Sequence, residues 1–309
     1  MSTGDGLALV VATGAVRGGT SILFAALGET ISERGGVVNL GIEGSMLCGA
    51  LTAFAVTAET GNSWVGFLAG ALAGGLLAIV HAYFVLSRGS NQLATGLVCL
   101  FLALGITSLF GAAYVQADVT AMPVWDVPLL SKIPWIGEIF FQQDPITYLS
   151  YIAVPACWWL LFRSRWGLLL RAAGERREVL TTYGHPAMAI QYGAVVAGGI
   201  LGGMGGAQLS IAYTGAWFEN MVQGRGFIAV AVVMFASRMP FRVAAGSYLF
   251  GAALALSPAL QARGYSVNQF ALDAVPYVVT ILVLVIFGRR QSQETPEELQ
   301  KVFEMAPAA

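Results

Sequence analysis

Long stretches of this chain carry no charged residue. Positions 60–87, 89–117, 145–162, 179–218 and 243–262 all lack Asp, Glu, Lys and Arg, and the longest runs 40 residues. A membrane-crossing helix needs roughly 20 mostly apolar residues. Strands of a membrane barrel would be shorter and would alternate apolar with polar positions, which these runs do not. The pattern predicts an all-α polytopic transmembrane bundle of about nine spans, within a range of eight to ten. They are placed near 7–32, 37–58, 63–86, 92–115, 145–162, 187–212, 224–237, 243–260 and 272–288.

Four places interrupt the apolar pattern. The first is SERGGVVNLGIEG, residues 32–44, where Glu33, Arg34, Asn39 and Glu43 alternate with Gly35, Gly36, Gly41 and Gly44. Charge at membrane depth costs at least roughly 2.5–3.5 kcal/mol on insertion scales. It persists where it pairs or serves irregular backbone buried in protein. The stretch is therefore either a broken, cavity-facing helix or a solvated turn. The second is the basic segment 163–186, with an amphipathic stretch between Gly167 and Gly184. It either enforces topology or docks a partner. The third is FENMVQGRGF, 218–227, with Glu219, Asn220, Gln223 and Arg225, read as an interfacial loop or a pore lining. The fourth is Asp273, ahead of the last span.

Composition agrees with the pattern. Hydrophobic residues make up 57% of the 309 and charged residues 11%, with mean hydropathy +0.71. Soluble domains carry about 25% charged residues. This excludes a soluble globular enzyme, a disordered chain and a nucleic-acid binder, and the net charge of −1 gives polyanions no footprint. Placing 163–186 on the cytoplasmic side puts twelve of the 16 basic residues inside, as the positive-inside bias requires. The N-terminus is then external and the C-terminus internal. Asp5 precedes Arg17, the first base, so the N-terminus does not read as a cleaved signal peptide.

The external loop near 116–144 carries Trp125 and Trp135 beside prolines. It either rests on the headgroups or covers an entrance. Gly70–Gly74 and the cluster from Gly198 to Gly206 suit close helix packing. In the polar tail, Thr295, Pro296, Glu297 and Glu298 predict a short helix. Cys48, Cys99 and Cys157 read as buried small hydrophobes. The two histidines, His81 and His185, are far apart in sequence, so no metal site is expected. No Gly-Lys-Ser/Thr phosphate loop, HExxH, GxSxG or CxxC occurs. The chain is therefore expected to bind no ATP and to be no enzyme.

At SERGGVVNLGIEGSMLCGA the sequence resembles the permease subunits of bacterial ABC importers for branched-chain amino acids, ribose and nucleosides, most of all the nucleoside and simple-sugar type. The similarity continues at SRWGLLLRAAGE, AGGILGGMGGAQLS, GRGFIAVAVVMFASRMPF and LDAVPYVVTILVL. The segment AAGERREVLTTYGH and the RMPF turn depart from the family pattern. The resemblance implies a permease domain over 1–290 with a coupling loop near 164–186, and a cytoplasmic tail over 291–309. It implies multi-pass insertion in a bacterial plasma membrane, among lipid and without nucleic acid. It also implies a second homologous permease, an ATPase that carries ATP and Mg, and an extracytoplasmic binding protein. The expected cargo is a small neutral polar solute, a nucleoside or simple sugar. A proton-coupled carrier or channel, with Glu43 or Glu219 relaying protons, is the alternative. Candidate pathway residues are Asn39, Glu43, Asn91, Glu219, Asn220, Gln223 and Arg225. Candidate coupling residues are Arg171, Gly174, Glu175, Arg176 and Arg177.

Overall fold

The computed structural model describes residues 3–115, 117, 119–264, 268, 272, 274–287 and 296–304. Asp273, Asp118 and Thr295 lie outside them. The apolar runs fold as helices: α1 (Thr3–Arg34), α2 (Ile42–Thr60), α3 (Ser63–Ala82), α4 (Gln92–Gly111), α5 (Ile136–Phe140) and α6 (Pro145–Arg163). Then come α7 (Arg165–Glu175), α8 (Arg177–Thr182), α9 (Ala187–Ala207), α10 (Arg225–Phe235), α11 (Pro240–Gln261), α12 (Val275–Phe287) and α13 (Glu297–Glu304). Wide turns extend α3 through Tyr83–Ser87 and α9 through Gln208–Thr214.

Local sequence sets the helix ends. Asn62, Asn91, Asp144 and Ser164 each accept hydrogen bonds from the first free N–H groups of the helix that follows. Six helices among the described residues are long and apolar enough to cross a membrane: α1, α3, α4, α6, α9 and α11. The span expected at 224–237 is shorter than predicted. Its helix, α10, has 11 residues, or about 16 Å at 1.5 Å per residue, roughly half the hydrocarbon thickness. The amphipathic stretch read between Gly167 and Gly184 is two helices, broken at an extended Arg176.

Helix α9 is the hub, packed on α1, α2 and α3. Its glycines let backbone meet backbone: a Cβ at Gly198 would lie 2.9 Å from the Gly28 carbonyl oxygen. Leu68, Leu72 and Leu76 of α3 and Val98, Phe101 and Leu109 of α4 are exposed, an apolar surface suited to lipid. The 116–144 loop is pinned to the bundle rather than loose. Met122 is buried and donates its N–H to the Ile211 carbonyl, and a two-residue β-pair joins Trp125–Asp126 to Gln142–Gln143.

The connections gather at two ends. Arg34 reaches the carbonyls of Ser237 and Arg238, and Arg176 pairs with Glu297. These contacts put the α1–α2 turn, 164–186, the α10–α11 turn and α13 at one end. Trp217 on Gly111, Tyr114 on Glu59 and Ala121 beside Gly215 mark the opposite end.

Candidate functional site

Between α1 and α2 the chain leaves the helix and runs extended through 37–39. Backbone that forgoes helical bonds inside a bundle needs other partners. Four helices supply them. Glu29 of α1 accepts the Asn39 N–H at 2.8 Å, and Gln92 of α4 accepts the Val38 N–H at 2.8 Å. His81 of α3 meets the Val38 carbonyl through Nε2 at 3.3 Å, and Gln191 of α9 donates to the Gly35 carbonyl at 2.8 Å. Ser32 donates its hydroxyl to the Val37 carbonyl. Sequence reasoning missed Glu29, Ser32, His81, Gln92 and Gln191. The available signal was a lone polar residue within an apolar helix, which at that depth calls for a partner. The side-chain amide of Asn39, 1% exposed, has no partner among the described residues.

The first turn of α2 then carries Glu43 to the start of α10. Its two oxygens accept the N–H groups of Gly224 at 2.7 Å and Gly226 at 2.6 Å. A carboxylate at a helix N-terminus satisfies open donors and complements the helix dipole, worth up to about 2 kcal/mol when partly buried. A side chain at position 226 would collide with Glu43. Asn220, Gln223 and Gly224 all have positive φ, at 55°, 50° and 82°. This bends the chain so that the N–H groups of Gly224 and Gly226 face one carboxylate, while that of Arg225 turns to the Val222 carbonyl. The two polar breaks, 32–44 and 218–227, therefore meet in space. Glu219, Asn220 and Gln223 are exposed beside this junction, and Gln223 and Ser257 line a cavity of about 240 Å³. Arg225 donates to the Met221 carbonyl, with its Nε unmatched.

The other end of α10 is held as well. Glu33 pairs with Arg238 at 2.6 Å, with side chains 1% and 4% exposed. Arg238 was one of the twelve bases expected on the cytoplasmic side, and the structure buries its side chain. Ser237 and Arg238 have positive φ, at 51° and 56°, a conformation costing roughly 1–2 kcal/mol per residue. Arg34 binds the carbonyls of both and stacks over Phe162 at 5.4 Å.

Two candidates have structural contacts of their own. Asn91 caps α4, its Oδ1 accepting from Leu93 and Ala94 at 3.0 Å, and is not part of the Glu43 junction. Gly174 is buried rather than displayed. It packs directly on the Arg34 carbonyl, and a Cβ there would also lie 3.1 Å from the Gly36 nitrogen. Gly36 has φ +83°, so glycine suits both the turn and the contact. Glu175 and Arg176 are exposed, while Arg177 and Arg171 are half-buried, Arg171 lying over Phe162 at 5.3 Å. The Glu297 carboxylate raises the Arg176 guanidinium above its ordinary pKa. Leu168, Leu169, Val179, Leu180 and Tyr183 line a surface groove here of about 640 Å³.

Residues 11–287 match the family described as branched-chain amino acid transport system, permease component. The putative glucose ABC transporter permease protein of Haloferax volcanii is 45% identical, over 84% of this chain and 78% of that one. The nucleoside ABC transporter permease protein of Lactococcus lactis is 34% identical, over 87% and 89%. The guanosine ABC transporter permease protein of Bacillus subtilis is 31% identical, over 86% and 88%.

Proposed function

This chain belongs to the permease-component family of branched-chain amino acid transport systems, and from that premise we propose that it lines the import path for a small neutral polar solute, a nucleoside or simple sugar. It is a multi-pass ABC transporter permease, a transport component rather than an enzyme. In this reading a second permease completes the path in a prokaryotic cytoplasmic membrane, and a binding protein delivers solute from outside. A partner ATPase holds ATP and Mg and docks where 164–186 gathers, at the cytoplasmic end.

The observation that carries the reading is the Glu43 junction. A half-length helix starts inside the bundle, its N-terminus held by a carboxylate from a second broken element. Exposed Glu219, Asn220 and Gln223 lie beside it. Half-helices of this kind build binding sites near the membrane midplane. Two breaks that meet can shift together when the cytoplasmic end moves. The junction also argues against the proton-coupled alternative, since both Glu43 oxygens already hold backbone N–H groups.

Names of relatives divide between glucose, nucleoside and guanosine, so the cargo is decided by transport. Vesicles containing the permease pair and ATPase, with binding protein outside and ATP inside, are offered labelled guanosine, other nucleosides and glucose. Uptake of one class that stops without ATP supports the reading. Uptake driven by a proton gradient without ATP overturns it.

A further inference from the structure

Helix α13 lies beyond the residues 11–287 shared with the family, yet it is built into the coupling end. Leu299, on its inner face, is fully buried, and α13 packs on α7. Glu297 accepts the Arg176 Nε–H at 2.8 Å, and its own N–H points to Glu175 at 3.4 Å. One residue further, Glu298 reaches the α1–α2 turn. A Cβ at Gly36 would lie 3.1 Å from the Glu298 Cβ and 3.1 Å from the Gly174 Cα. The Gly36 turn is thus held between α7 on one side and α13 on the other.

We propose that α13 is a positioning element for energy coupling: it straps α7 onto the Gly36 turn, so that displacement of α7 is transmitted to residues 37–43 and the Glu43 junction. The inference rests on the reading of this chain as an ATP-driven permease. Without the strap α7 meets the turn through Gly174, beside Gly36, and Leu170, beside Gly35. Movement of α7 would then be absorbed locally, and ATP turnover would continue without transport. Leu299 is the anchor, because its apolar side chain is fully buried. The Arg176–Glu297 pair is exposed on both sides and holds little by itself.

The test uses the full permease–ATPase complex with Leu299→Asp, Leu299→Met and a chain ending at Thr295. Two quantities are read: solute moved per ATP hydrolysed, and hydrogen exchange of amides 34–41 and 165–175. Burying a charge should displace the helix. Leu299→Asp and the truncation should therefore lower the solute-to-ATP ratio by about tenfold while ATP hydrolysis persists, and should speed exchange in both segments. Leu299→Met should restore both quantities. An unchanged ratio, or unchanged exchange in the truncated chain, would overturn the proposal. Hydrogen exchange is read without transport, so loss of the strap remains distinguishable from a wild-type complex that moves no solute with ATP.

Discussion

Both ends of α10 are gripped by carboxylates from one stretch, residues 33–43, but by different chemistry. At the outer end Glu43 accepts two backbone N–H groups. At the other end Glu33 meets the Arg238 guanidinium. Backbone donors persist under any substitution but proline, so the outer grip depends on an acceptor with two free oxygens. The inner grip joins two side chains, and both can be replaced together. The half-helix is thus fixed by a bond that only a carboxylate makes well and by a pair that tolerates joint substitution.

The largest expected effect is at the outer grip. Glu43→Leu leaves two donors open, the buried Gly226 N–H and the half-buried Gly224 N–H, at up to about 1–3 kcal/mol each, and should abolish uptake. Glu43→Gln is less conservative than its size suggests. The amide offers one oxygen and turns an NH2 toward the second N–H. It should lower uptake by about tenfold, the equivalent of about 1.4 kcal/mol.

At the inner grip, Glu33→Ala or Arg238→Ala breaks a buried ion pair, at about 3–5 kcal/mol. Each should lower the yield of folded chain in detergent melts. Glu33→Met with Arg238→Met should recover most of that loss, because a buried pair can be replaced by apolar side chains of similar volume. A double variant no better than either single one would show that the two ends are not held by the different means described.

Away from α10 the effects shrink. Gly174→Ala pushes a methyl into the Arg34 carbonyl and should reduce uptake without preventing insertion, an outcome that membrane fractionation and transport together would check. Arg176→Ala removes an exposed pair and should leave thermal stability within error.

The helices were legible because uncharged runs of 18 to 40 residues have few other solutions. The break at 32–44 was legible too, since glycines and charges alternate there. Its partner was not: Gly224 lies 181 positions from Glu43, and neither segment encodes the other. The same limit hid Glu29, His81, Gln92 and Gln191, single polar side chains on four helices whose shared purpose appears only when 35–39 runs between them. Arg238 read only as a base following an apolar helix, and its burial against Glu33 of α1 was not legible. Gly174 was expected in a displayed coupling segment but faces inward, because the 165–175 helix turns its small residue to the α1 end.

The most direct test of the Glu43 grip is ATP-driven uptake by the reconstituted complex with Glu43→Gln beside Glu219→Gln. Glu219 is exposed near the same junction, with the same chemistry but no role in holding α10. Uptake should fall by about tenfold in Glu43→Gln, with faster hydrogen exchange at the α10 N-terminus, whereas Glu219→Gln, at a pathway candidate, should leave that exchange at the wild-type rate, with both chains assembled to the same level. Full uptake in Glu43→Gln would contradict the account, because the carboxylate would then not be what joins the two broken helices.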